Sequence, residues 1–90
     1  MMGEVESLTA KYIRVVELAL GELTPRSEAS HPGVGSVIDA ANRYLADAKY
    51  YLNNGKKATA LASVSYAEGM LDALKILGFA RFEWRSVSQS

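Results

Sequence analysis

Ninety residues, 49% of them hydrophobic and 22% charged, suffice for one small folded domain with a thin core, and the composition lies outside the disordered classes. Ten basic residues balance ten acidic ones, so the chain lacks the excess of Lys and Arg that phosphate contacts need, which argues against nucleic acid as a partner. Cysteine is absent, which excludes disulfides, thiolate catalysis and Cys-ligated zinc and suits a reduced, cytoplasmic setting.

The start, "MMGEVESL", has neither the basic residues nor the apolar run of a secretory signal, and no stretch approaches the roughly 18 uninterrupted apolar residues of a membrane span. From Glu4 to Leu23, a turn of about 100° per residue sets Val5, Leu8, Tyr12, Val15, Val16, Ala19, Leu20 and Leu23 on one side. Ser7, Lys11, Arg14 and Glu17 fall on the other, as in an amphipathic helix, which Gly21 and Thr24-Pro25 then end. The following "TPRSEASHPGVGS" is rich in Pro, Gly and Ser and reads as a loop with room for one helical turn after Pro25.

Ser36 with Asp39 three residues on resembles a capping box and predicts the start of a second helix. Ile38, Ala41, Leu45, Ala48 and Leu52 form its apolar stripe, widened by Val37, Tyr44 and Tyr51, while Asp39, Arg43 and Asp47 mark the wet side. "NNG" at Asn53 to Gly55 tolerates a left-handed backbone and closes the helix, and so short a turn lays the next helix antiparallel. The third helix, Lys57 to Leu77, confines its polar residues Lys57, Ser65, Glu68, Asp72 and Lys75 to a narrow sector. Its broad stripe of Ala60, Val64, Ala67, Met70, Leu71, Leu74 and Leu77 is joined by a second edge, Ala62, Gly69, Ala73 and Ile76. A helix apolar on so many sides should touch neighbours on two of them, with Gly69 at a tight crossing. After Gly78, the aromatics Phe79, Phe82 and Trp84 suit an extended segment covering the core. The fold expected is all-α, an antiparallel up-down-up three-helix bundle over residues 1–85, with a disordered polar tail over 86–90.

Within "RYLADAKYYLNNGKKATALASVSYAEGMLDALKILGF" stand Tyr44-Leu45, Asp47-Ala48, Gly55, Ala60-Leu61, Tyr66-Ala67, Gly69, Leu71-Asp72-Ala73 and Leu77-Gly78. This run, about residues 43 to 79, resembles an uncharacterised, mainly archaeal family, Domain of Unknown Function 357. The Lys after Gly55 replaces the acidic residue expected there, a departure that concerns only the turn. The resemblance implies a compact helical bundle from an archaeon and carries no activity across.

Glu68 and Asp72 share one helix face, where like charges four residues apart cost a few tenths of a kcal/mol, and Lys75 is placed to compensate. Joined by Asp47, they are candidate ligands for a hard divalent cation such as magnesium. An alternative preferred over the metal has Asp72 or Asp47 accepting a hydrogen bond from a buried phenol of Tyr44 or Tyr66. Tyr44, Gly55, Tyr66, Gly69 and Asp72 are thus the structural candidates. His31, the only histidine, has no nucleophile in a recognisable context and reads as solvated. "GVGS" at Gly33 to Ser36 could offer N–H groups to a phosphate, but no Walker lysine or preceding strand accompanies it. Lys56, Lys57 and Arg43 make at most a small basic spot. No catalytic set and no cofactor motif is legible. Two functions stay open: a non-enzymatic helical interaction module binding a protein partner or a second copy of itself, or a small-ligand or divalent-metal binder using Asp47, Glu68 and Asp72.

Overall fold

The computed structural model describes residues 3–25 and 31–85; the expected helical turn after Pro25 and the expected tail over 86–90 lie outside them. The chain runs α1 (Glu4–Glu22), β1 (Thr24–Pro25), α2 (Val34–Asn53), α3 (Lys57–Ile76) and β2 (Ala80–Arg81). It is an all-α three-helix bundle, with one antiparallel ladder in which Thr24 pairs with Arg81 and Pro25 with Ala80.

Helix α3 is the common wall. Ala60, Val64, Ala67, Leu71 and Leu74 recur at alternating steps of four and three, the period of one helix face, and all are buried. On α2 the matching stripe is Ala41, Leu45 and Ala48, flanked by half-buried Ile38 and Leu52. Small residues on both sides let the two backbones come close, and α2 against α3 is the most extensive packing in the molecule. Val34, at the start of α2, clusters with Leu74, near the end of α3, while a three-residue turn joins their other ends, so the two run antiparallel. Glu6 near the start of α1 pairs with Lys57 at the start of α3, which sets those two helices parallel.

The buried stripe of α1 is Thr9, Ile13, Val16 and Ala19. The sequence stripe therefore missed two of its members and included Val5, which is exposed. Thr9 is fully buried because its hydroxyl donates to the carbonyl of Val5 at 2.6 Å, so no polar group is left without a partner.

Helices α1 and α3 start at Glu4 and Lys57 as expected, and only the start of α2 differs. Helix α2 begins at Val34, two residues before Ser36, and no side-chain cap forms there. The apolar anchor Val34 draws the start forward, and Nδ1 of His31 accepts from the Gly33 N–H at 3.4 Å. Gly21, expected to help end α1, lies inside it, whereas the glycine-marked ends of α2 and α3 are complete Schellman motifs. Gly55 at φ 75° donates to Leu52 and Lys56 donates to Tyr51, while Gly78 at φ 79° donates to Lys75 and Phe79 donates to Leu74. Phe79 and Leu74 also meet in one apolar cluster, which completes the second motif.

Gly69 is a correction. It does not sit at a tight crossing: its position is exposed and a Cβ placed there meets nothing within 4 Å. Ala62, Ala73 and Ile76, expected with it against a neighbour, are exposed too. The reason is the direction of packing: α1 and α2 both lie on the side of Val64, Ala67 and Leu71, about half a helical turn away.

One substitution made at two kinds of glycine should therefore give opposite signs. Gly55→Ala and Gly78→Ala should each lose about 1–2 kcal/mol, because only glycine holds the left-handed conformation freely. Gly69→Ala should gain about 0.5–1 kcal/mol from helix propensity alone. Urea unfolding followed by circular dichroism in dilute solution reads both.

Candidate interaction surface

Opposite the buried stripe, α3 presents Thr59, Ala62, Tyr66, Gly69, Ala73 and Ile76, again at alternating steps of three and four, and all six are exposed. None carries a charge. A helix of a small monomer ordinarily turns Lys and Glu to water on this side; here the charged residues after Lys57, namely Glu68, Asp72 and Lys75, are half-buried at the flanks. The two large members are far from dry: Tyr66 is 60% exposed and Ile76 is 77% exposed. Tyr66 is held in place by Tyr44 of α2, the rings stacking at 4.8 Å with 27° between planes.

At the C-terminal end this face runs into a wholly apolar groove of 210 Å³, lined in part by Val37, Ala73, Leu77 and Phe79. Leu77 is 64% exposed. His31 borders the groove, its ring 5.3 Å from that of Phe79. The sequence reading of His31 as simply solvated thus needs amending: the residue is exposed, yet its ring packs on an aromatic and its Nδ1 serves the start of α2.

The other flank is shaped by the segment after α3. From β2 the chain returns over the α1–α3 side, burying Phe82 in the main core. Trp84 meets Phe82 edge-on at 4.9 Å and donates its indole N–H to Asp72 Oδ1 at 3.0 Å. Glu22, at the end of α1, takes the backbone N–H of Glu83 at 3.3 Å on one oxygen and the guanidinium of Arg85 at 2.8 and 2.9 Å on the other. Lys75 pairs with Glu83 at 3.4 Å and lies over the Phe82 ring at 5.3 Å. This strap follows the sequence expectation that the aromatics cover core.

The acidic candidates are redistributed. Glu68 and Asp72 line a recess of 380 Å³ together with Val15, Gly69 and Trp84, whereas Asp47 lines a separate one with Arg43, Tyr44 and Ala46. Among the described residues no group of three His, Cys, Asp or Glu side chains stands close enough to hold a metal ion. Asp72 does accept a hydrogen bond from an aromatic side chain, but the donor is Trp84, not Tyr44 or Tyr66, whose rings have turned to each other. Lys75, expected to compensate Asp72, is engaged by Glu83 instead, because the strap passes above it. The ion pairs linking helices, Lys49 with Glu17 and Lys57 with Glu6, could not be read from spacing within one helix. With Lys57 so paired, the small basic spot is weakened further.

Fold and surface define the class: a three-helix bundle whose central helix keeps one face in the core and an uncharged one in water. The family model described as a protein of unknown function (DUF357) matches residues 11–80, and the chain belongs to that family. The matched stretch takes in the whole of α2 and α3 and stops short of Phe82 and Trp84. No curated protein and no solved structure matches. No helix among the described residues is long and apolar enough to cross a membrane.

The strap can be tested residue by residue. Phe82→Ala should cost about 3–5 kcal/mol of folding stability, since it opens a cavity in the main core. Trp84→Phe keeps the ring and loses the indole N–H to a carboxylate, for an expected loss of about 1–2 kcal/mol. Unfolding curves by circular dichroism measure both, and the lone Trp84 reports strap release by its fluorescence in the Phe82→Ala chain.

Proposed function

We propose that this protein is a non-enzymatic helical interaction module whose docking face is the outer side of α3. The supporting observation is that face itself: six exposed positions over five helical turns without one charge, carrying Tyr66 and Ile76 and continuing into an apolar groove. An exposed apolar surface of this kind costs solubility and is kept where a partner covers it. Its regular spacing fits another helix, since alternating steps of three and four are what a helix needs to interdigitate with a neighbour. Protein is the partner class that fits; a neutral face offers nothing to phosphates, and membrane plays no part in this reading. A cytoplasmic location goes with it, since a chain without cysteine makes no use of an oxidising compartment, as does the archaeal source implied by residues 43–79.

The alternative, a small-ligand or divalent-metal site on Asp47, Glu68 and Asp72, is less well served. It asks three carboxylates to converge, and they line two different recesses, with one Asp72 oxygen already taken by Trp84.

The test uses the absence of cysteine. Ala73→Cys places a single thiol on the face, and Asp39→Cys places one on the far side of α2; each is labelled with an environment-sensitive fluorophore. Titration with unlabelled chain, and separately with fractionated protein from the native cells, should shift emission of the label at 73 and leave that at 39 alone. If neither titrant moves the label at 73, the face is not a docking surface.

A further inference from the structure

The spacing of the face lets it meet a second copy of itself in register. Counted from the point between Ala67 and Glu68, Tyr66 and Gly69 stand equally far out, as do Ala62 and Ala73, and as do Thr59 and Ile76. All six positions of the exposed seam are thereby matched in pairs. When two such helices lie antiparallel about a two-fold axis through that point, each layer sets one member of a pair against the other, as antiparallel coiled coils do. Tyr66 then falls over Gly69 of the second chain, Ala62 over Ala73, and Thr59 over Ile76.

We propose that α3 docks on a second copy of this chain in this antiparallel register, with the Tyr66 ring seated on the partner's Gly69. The proposal rests on the reading of the outer α3 face as a docking surface and names its partner. Size decides between the two possible directions. A parallel pair would put Tyr66 against Tyr66 and Gly69 against Gly69, a clash beside a void, whereas the antiparallel pair sets Tyr66 against Gly69 and Ile76 against the smaller Thr59, with Ala62 and Ala73 meeting between them. Charge agrees: the seam is neutral, so a charged helix would have to leave a charge unhydrated on it, and a second copy brings a face of the same neutral kind. At the flanks, the antiparallel register sets Asp72 beside the second chain's Ser65 and Met70 beside its Ser63, so no like charges meet.

Two features of the single chain, otherwise without purpose, fit the register. Gly69 forgoes helix propensity and receives no packing in return, since the space above it is open. Tyr66 projects into water while Tyr44 fixes its ring, so little freedom is lost when it seats. The face of α3 between residues 59 and 76 is about 26 Å long, sufficient for six such layers.

Sedimentation of the full chain over a concentration series should show a reversible monomer–dimer equilibrium. Mild oxidation of an equimolar mixture of the Ala62→Cys and Ala73→Cys chains should yield the mixed disulfide dimer, with little dimer from either chain alone. Gly69→Lys fills the seat from a position where an added Cβ meets nothing, and it should weaken self-association about tenfold or more while helicity is kept and the unfolding midpoint of the dilute chain does not fall. The proposal is overturned by a chain that sediments as a monomer throughout, by Ala62→Cys crosslinking chiefly to itself, or by undiminished association of Gly69→Lys. A monomeric chain whose label at 73 still responds to an extract fraction would remove the second copy and leave the docking face standing.

Discussion

The contact between α2 and α3 is the constraint from which the other features follow. Ala41 and Ala48 on one side and Ala60 and Ala67 on the other are fully buried, and their small side chains let two twenty-residue helices run close together along most of their length. Leu45, Val64 and Leu71 fill the space between, and α1 closes the triangle with Ile13, Val16 and Ala19. Three helices of this size enclose little volume, so the direction in which α3 turns its Val64–Leu71 stripe settles which of its other residues stay wet. Gly69, half a turn away, could not be reached by either neighbour.

The segment beyond α3 supplements that thin core. Its two-residue ladder with β1 is too short to be stable by itself, and it holds because Phe82 is buried and Glu22 gathers the Glu83 N–H and Arg85. Each exposed ion pair here adds little alone. Their joint effect is to fix the path along the α1–α3 side, which brings Trp84 to Asp72 and roofs one flank of α3. The described residues leave the outer face of α3 uncovered, and it falls wholly inside residues 11–80, the stretch that the family model matches.

An uncharged outer face also explains why α3 is apolar on so many sides. The buried seam and the exposed seam lie about half a turn apart, each with the spacing that packs a helix against a helix, and the carboxylates and Lys75 are confined between them. The proposed docking supplies the second set of neighbours.

Sequence alone determined the three helices, the α2–α3 hairpin, the glycine-closed ends and the family, because each depends on local signals: the period of apolar residues, Gly55 and Gly78 where a left-handed backbone is needed, and a run of motif residues from Tyr44 to Gly78. It also marked the second edge of α3 as unusual, through Ala62, Gly69, Ala73 and Ile76. Only the tertiary structure decided that this edge faces water, that Thr9 is buried behind its own hydrogen bond to Val5, that Asp72 serves Trp84, and that Asp47 stands apart from Glu68. A helical wheel gives the angle between two faces of one helix but not the direction in which its neighbours lie, and partners twelve or more residues apart are chosen by packing rather than by spacing.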